Sequence, residues 1–222
     1  MLPEGLISIN GDSVQVLEVL FLTTMITLLP SLLVMMTSFA RYIISFSFLR
    51  TAMGTQQTPP NIVLVGLALI LTYFTMAPTL SQIKTEAYDP YVAEEISQQE
   101  FLELASVPLK DFMIRNTQLS TVRLYCDMSG VEAPETVEEA RELSMLVIVP
   151  AFVTTELKTA FEIGFLLYIP FMLIDVIVSS TLMSMGMIML PPSMISTPFK
   201  ILLFILLDGW QLLFSSLVGG IH

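Results

Sequence analysis

Long runs without a charged side chain dominate this sequence. The runs cover residues 19–40 and 51–83, and two more, 163–199 and 201–222, contain a single acidic residue each. Each run exceeds the roughly 18 apolar residues needed to cross a hydrocarbon core of about 30 Å as a helix. We therefore predict four apolar helices, near residues 15–40, 61–82, 160–190 and 198–219.

The composition excludes several classes of protein. Only 13% of the 222 residues are charged and the mean hydropathy is +0.78, whereas soluble domains are about a quarter charged. The net charge of −11 argues against a nucleic-acid partner, because phosphate contacts need clustered cations. One Cys, Cys126, and one His, His222, cannot build a zinc cluster or most Cys–His or Ser–His nucleophiles. We expect no cofactor, no metal and no enzymatic activity.

The charged residues concentrate in one polar segment, residues 84–142, which holds 13 of the 20 acidic and 5 of the 9 basic side chains. Ser97 and Glu100 have the spacing of a capping box, and Glu138 and Glu139 are typical of an acidic first helical turn. We predict an all-α, membrane-associated protein with two long kinked helical hairpins and a helical acidic insert. Its parts are residues 1–61 with the first apolar helix and the GTQQTPPN connector, 62–83 with the second, the insert 84–142 on the outer side, and 143–222 with the second hairpin.

Proline positions predict where these helices end or bend. The residue before a proline disfavours helix, so we expect breaks at Thr58, Leu190 and Thr197. Pro150 and Pro170 should bend the long third helical segment.

Basic residues in the short loops predict the orientation, because Lys and Arg near a membrane remain cytoplasmic. Arg41 and Arg50 lie in connector 41–61 and Lys200 lies in connector 190–200. Both connectors should face the cytoplasm, with both termini and the insert outside, as four membrane crossings require. The N-terminal residues have neither the basic region nor the apolar region of a signal peptide, so we expect none in this sequence.

Several charges near the apolar runs have two interpretations each. Asp175 and Asp208 either bond a neighbouring helix, for example through Lys200 or Lys158, or serve a proton relay or a water-lined pore. Lys200 and Asp208 are eight residues apart and should share a helix face. The cluster Glu156, Lys158 and Glu162 is either a solvated helix start or an ion pair between subunits, whereas Arg41 and Arg50 fit membrane-edge anchors.

Methionine is unusually frequent, with 15 residues. Four of them alternate in LMSMGMIMLPP: Met183, Met185, Met187 and Met189. Alternation does not line one helical face, so we expect the chain to unwind here, aided by Gly186 and Pro191. The flexible thioether suits a compliant seal, although lipid-facing filler is the alternative.

Three segments resemble, in the same order, the FliP family, the flagellar branch of the export-gate proteins of type III secretion systems. They are SFARYIISFSFLRTAMGTQQTPPN, PAFVTTELKTAFEIGFLLYIPFMLIDVIVSSTLMSMGMIMLPP and PFKILLFILLDGWQLL. The resemblance covers nearly the whole chain and is weakest in the acidic insert. It implies a non-enzymatic subunit that assembles helically around a closed pore, in several copies of itself, with FliQ-like and FliR-like subunits and other membrane proteins of the export apparatus.

In such an assembly neighbouring subunits cover much of the apolar surface above the bilayer, which would replace the four-crossing arrangement. The resemblance implies a gate at Met187, Ile188 and Met189, and we include Met185 because Ile188 stands where relatives commonly have Met. It implies subunit contacts at Glu156, Lys158 and Glu162; Arg41 and Arg50 are further contact candidates. Leu2 and Pro3 resemble the start of a mature chain.

The resulting functional prediction is a core pore-forming subunit that passes unfolded protein substrates across the bacterial inner membrane, within the flagellar basal body and partly on the periplasmic side. The alternative is a proton-coupled small transporter or ion channel subunit that uses Asp175 and Asp208.

Overall fold

A computed structural model describes residues 6–9, 12–187 and 189–221. Within them, a short antiparallel hairpin of Leu6–Ile9 (β1) and Asp12–Gln15 (β2), which the sequence did not predict, precedes a helical structure. The helices are Val16–Met36 (α1), Phe39–Met53 (α2), Asn61–Ile83 (α3), Asp89–Val92 (α4), Gln98–Arg115 (α5), Leu119–Ser129 (α6), Val137–Ala140 (α7), Met145–Ser184 (α8), Pro192–Leu206 (α9) and Gly209–Gly219 (α10). A π-helical turn, Lys84–Tyr88, joins α3 to α4. The prediction of a helical fold is confirmed.

The first half of the chain differs from its prediction in one element. Residues 39–53 form the helix α2, at 71° to the second half of α1, where we expected a cytoplasmic connector from residue 41 onward. This prediction was wrong because two polar residues in the first half of α2 do not face water: Arg41 and Ser45 are buried beside Tyr42 and Phe46. The connector is therefore shorter, residues 54–60, and includes the predicted break at Thr58.

The first helix of the second hairpin begins earlier than the predicted residue 160, and one of the two breaks predicted in this hairpin is absent. Helix α8 starts at Met145, after Ser144, whose hydroxyl accepts a hydrogen bond from the Leu146 N–H, and it contains Pro150 and Pro170 within one element. The break near Leu190 is confirmed, but the predicted break at Thr197 is wrong. Helix α9 begins at Pro192, where the first helical position does not need the N–H that proline lacks, and it continues through Pro198.

Two of these helical segments, Asn61–Val92 and Met145–Ser184, are long and apolar enough to cross a membrane. The number rises to four among the described residues if each bent pair, α1 with α2 and α9 with α10, counts as one span. The second of these pairs is bent by 65°.

Two hydrophobic clusters organise the described part of the chain. One lies among α2, α3, α8, α9 and α10 and includes Tyr42, Phe46 and Phe171. The other joins the insert to the first turns of α8 through residues such as Phe112 and Phe152. The two clusters place the acidic insert and the chain's C-terminal residues together: Ile221 packs against both.

The predicted capping box is present at the start of α5. The Ser97 hydroxyl accepts from the Glu100 N–H, and the Glu100 carboxylate accepts from the Ser97 N–H at 2.8 Å. Because the Ser97 N–H, and to a smaller extent the Ser97 side chain, stabilise the ionised carboxylate, the pKa of Glu100 lies below its ordinary value. Burial in the core of the insert raises the pKa of the Cys126 thiol, with a smaller contribution from Asp127. The Glu138 and Glu139 turn forms only the four-residue helix α7, capped by Thr136.

Candidate functional site

The methionine segment leaves the helix where α8 ends. Met185 follows the last residue of α8, and Gly186 adopts a left-handed backbone with φ of +75°, which glycine reaches without steric cost. The Met187 N–H then donates to the Leu182 carbonyl at 3.0 Å and closes the helix end. We call residues 185–191 the methionine loop.

The described methionine side chains in and beside this loop are exposed. Met189 is 98% exposed and Met187 40% exposed, and Met183 and Met185 are exposed as well. The predicted unwinding occurs after Met183, which still belongs to α8. Ile188, the fourth predicted gate residue, lies outside the described residues.

Arg41 and Glu156 form a buried ion pair within the chain. The Arg41 guanidinium donates through Nε to Glu156 Oε2 at 2.9 Å and through Nη2 to Glu156 Oε1. Its Nη1 donates to the Gly220 carbonyl at 2.8 Å, beyond the end of α10. The two side chains are 4% and 1% exposed, so the pair locks α2, α8 and the C-terminal residues together. The Arg41 side chain therefore faces Glu156 inside the chain, and its predicted position at a membrane edge stays a prediction.

The other predicted contact residues separate from this pair. Lys158 and Glu162 lie on the exposed side of α8, with Lys158 Nζ 4.0 Å from a Glu162 carboxylate oxygen and 2.9 Å from Gln118 Oε1. They therefore do not form one cluster with Glu156. Arg50 donates to the Asn61 side chain and the Pro59 carbonyl, and so braces the connector. The predicted place of Lys158, Glu162 and Arg50 at subunit contacts stays a prediction.

Asp175 bonds a neighbouring helix. One carboxylate oxygen accepts from Lys200 Nζ at 2.6 Å and the other from the Ser196 hydroxyl at 2.6 Å. Lys200 also donates to the Ala52 carbonyl at 2.9 Å. This geometry agrees with the interpretation that Asp175 fixes helix packing.

Asp208 does not share this environment. It is exposed and occupies the break between α9 and α10 with a φ of +48°. The break ends the continuous helix that would have placed Lys200 and Asp208 on one face, so both the shared face and the burial of Asp208 were wrongly predicted.

The loops that the sequence placed on one side of the membrane meet in the structure. A Cβ atom on Gly54, at the end of α2, would lie 3.0 Å from the Thr197 hydroxyl of α9. A cavity of about 360 Å³ between the two loops is lined by residues of both, including Gln56 and Ser193. Connector 54–60 and the first turns of α9 therefore share one end of the molecule.

Sequence reasoning missed the uncharged members of these sites. Ser196 and the carbonyl groups of Ala52 and Gly220 carry hydrogen bonds to charged side chains. Ser196 could have been noticed as a serine inside an apolar helix, but the sequence contains no sign of which backbone carbonyls bind a charged side chain. Among the described residues no group of three His, Cys, Asp or Glu side chains is placed to hold a metal ion.

Comparison with known proteins decides the family. The FliP family model matches residues 22–217. The chain is 47% identical over 209 residues to the flagellar biosynthetic protein FliP of Aquifex aeolicus, covering 94% of this chain and 87% of that protein. It is 48% identical over 201 residues to the FliP protein of Bacillus subtilis, covering 90% of each.

This chain belongs to the FliP family. A third relative, the flagellar biosynthetic protein FliP of Pectobacterium carotovorum, is 48% identical over 215 residues, covering 96% of this chain and 82% of that protein. The family match includes α2, α8, α9 and the methionine loop, so the Arg41–Glu156 ion pair, the contacts of Asp175 and the loop all lie in the part of the chain that is similar to FliP proteins.

Proposed function

We propose that this FliP-family chain is a core pore-forming subunit of the flagellar type III export gate in the bacterial inner membrane. Several copies assemble helically with FliQ-like and FliR-like subunits and the other membrane proteins of the export apparatus. Unfolded protein substrates pass through the pore that they enclose. The parts around the acidic insert lie on the periplasmic side, and the methionine loop closes the pore at rest.

The observation that supports a gate is the geometry of the methionine loop. Thioether side chains at the end of a long apolar hairpin project outward, and Met189 makes almost no contact within its own chain. Flexible side chains of this type can close around one another when copies of the loop meet, and they can adapt to varied polypeptides. A ring of such loops would hold back ions without a rigid fit.

The exposed apolar surface supports assembly with other subunits. Exposed large apolar side chains run along the outside of α3, α8 and α9, among them Ile62, Phe165 and Leu206. A continuous surface of this kind needs lipid or protein against it, because contiguous apolar patches of soluble monomers rarely exceed a few hundred Å². Neighbouring subunits and lipid tails would both cover it.

The alternative, a proton-coupled transporter or channel subunit, receives less support from the charges it needs. Asp175 is occupied by Lys200 and Ser196, and Asp208 lies exposed at a helix break. The transporter predicts that Asp175→Asn or Asp208→Asn abolishes small-ion flux while assembly survives. The export gate predicts that the substrate is a polypeptide and that such changes mainly disturb assembly.

The proposed gate is tested by ion conductance. In the purified complex in planar bilayers, replacing Met187 and Met189 together with Ala should raise the resting leak, because the shorter side chains leave a gap at the constriction. Met172→Ala removes an exposed methionine from α8 outside the loop and serves as the matched control, with unchanged conductance expected. An unaltered leak in the double variant would show that Met187 and Met189 do not form the constriction.

A further inference from the structure

The two helices that carry the methionine loop are joined by one polar contact point. Asp175 on α8 accepts from both Ser196 and Lys200 on α9, each at 2.6 Å, so both oxygens of the carboxylate are used. Among the described residues, these are the only side-chain hydrogen bonds that join α8 to α9. The side-chain hydrogen bonding between the two arms of the hairpin is therefore concentrated at Asp175.

A third helix meets the same point. Lys200 Nζ donates to the Ala52 carbonyl at 2.9 Å, in the last turn of α2, where a positive charge is favoured by the helix dipole. The Lys200 side chain is 7% exposed and that of Asp175 is 43% exposed. We call Ala52, Asp175, Ser196 and Lys200 the Asp175 junction.

The junction is the last strong support before the methionine loop. Helix α8 continues about two and a half turns, roughly 14 Å, from Asp175 to its end at Ser184. Over this stretch Leu182 is the one buried residue of the helix. The aromatic core around Phe171 and Phe204 lies on the other side of the junction in sequence.

We infer that Asp175 is a positioning residue for the methionine loop. Its charge holds the buried Lys200 and, through Lys200, fixes the loop-bearing ends of α8 and α9 against α2. An amide at this position would keep one oxygen that accepts from Ser196 or Lys200, but it would leave the Lys200 charge without its counter-charge. The inference uses the proposed gate only to say what the positioned loop does.

Spin labelling tests the junction without measuring transport. The full chain, with Cys126→Ala, is purified in complex with its partner subunits, and a nitroxide is attached at Met189→Cys. A second preparation carries the label at Leu146→Cys, an exposed position at the opposite end of α8. Adding Asp175→Asn should shift the spectrum at position 189 toward the narrow line shape of fast motion and leave the spectrum at position 146 unchanged.

Two results would overturn the inference: an unchanged spectrum at position 189, or equal shifts at both positions, which would indicate general loosening. If Asp175→Asn does not assemble, Ser196→Ala decides, because it removes one hydrogen bond and keeps both charges. A smaller shift confined to position 189 supports the junction, and no shift contradicts it. Normal conductance of the Met187 and Met189 double variant would refute the gate while leaving this result intact.

Discussion

At the scale of single residues, burial decides what each charge does. Arg41 and Glu156 are both buried, and two hydrogen bonds join the guanidinium to the carboxylate. The Gly220 carbonyl is a third acceptor for the guanidinium. Lys158 and Glu162, two and six positions further along α8, remain in solvent, with Lys158 Nζ 4.0 Å from a Glu162 carboxylate oxygen. Charges that are neighbours in sequence thus differ widely in energetic weight.

Because Glu156 is buried and Glu162 is exposed, replacing each by Gln should affect stability differently. Glu156→Gln should lower the free energy of unfolding of the detergent-solubilised chain by about 3–5 kcal/mol, because it leaves the buried guanidinium without its counter-charge. Glu162→Gln, the matched control on the same helix, should cost at most about 1 kcal/mol. Denaturation followed by circular dichroism measures both. Equal losses would show that the Arg41 pair is as solvated as the exposed one.

At the scale of elements, close approach of α2 and α8 organises the molecule. The Phe48 ring of α2 lies over Gly164 of α8, and packs edge-on against Phe161 and Tyr168 at ring distances of 5.4 and 6.4 Å. A Cβ atom on Gly164 would come within 2.5 Å of that ring. The absence of a side chain at this position sets the distance between the helices.

A single methyl group should therefore disturb this helix pair. We expect Gly164→Ala to destabilise the solubilised chain by about 1–3 kcal/mol, since overpacking forces the ring or the helices to move. Gly66→Ala in α3 is the control, because a Cβ atom there would meet no neighbouring side chain within 4 Å. Alanine's better helix propensity should make that variant neutral or more stable by up to about 1 kcal/mol. Thermal unfolding compares the two, and indistinguishable midpoints would argue against tight packing at Gly164.

At the scale of the whole molecule, the chain leaves too much apolar surface open to exist alone in water. Large apolar side chains are exposed on α3, α8, α9 and α10, and the described methionines of the methionine loop are exposed as well. The acidic insert, residues 84–142, holds 13 of the 20 acidic side chains, so this part of the chain is polar while the remainder needs an apolar environment. Family membership agrees with a place in a membrane assembly.

The mass of the particle extracted in detergent checks this conclusion. When the chain is expressed with its partner subunits, light scattering should find a particle that contains several copies. Phe165→Glu and Leu206→Glu should each remove most of that particle, because a carboxylate at an apolar contact costs about 2.5–3.5 kcal/mol even where partial solvation is available. Leu102→Glu, on the acidic insert, should leave the yield unchanged. A particle with a single copy would contradict the proposed pore.

Much of this architecture was predictable from local features of the chain. Uncharged runs identified the apolar helices because burying a charge is costly at any point of a hydrocarbon-like environment, whatever its neighbours. The capping box of Ser97 and Glu100 and the loop around Gly186 and Pro191 depend on residues a few positions apart, and they formed as expected.

Pairings between distant residues were named only as an alternative, as for Asp175 with Lys200, or not at all, as for Arg41 with Glu156. Arg41 meets Glu156 and Asp175 meets Lys200 only because α2, α8 and α9 pack side by side, and neither spacing nor periodicity encodes which helices become neighbours. The sharp turn at Asp208 was hidden because an uninterrupted apolar run looks the same whether its helix is straight or broken. Hydropathy reports how unfavourable it is to expose a residue to water, whereas three-dimensional packing selects the partner that replaces the water.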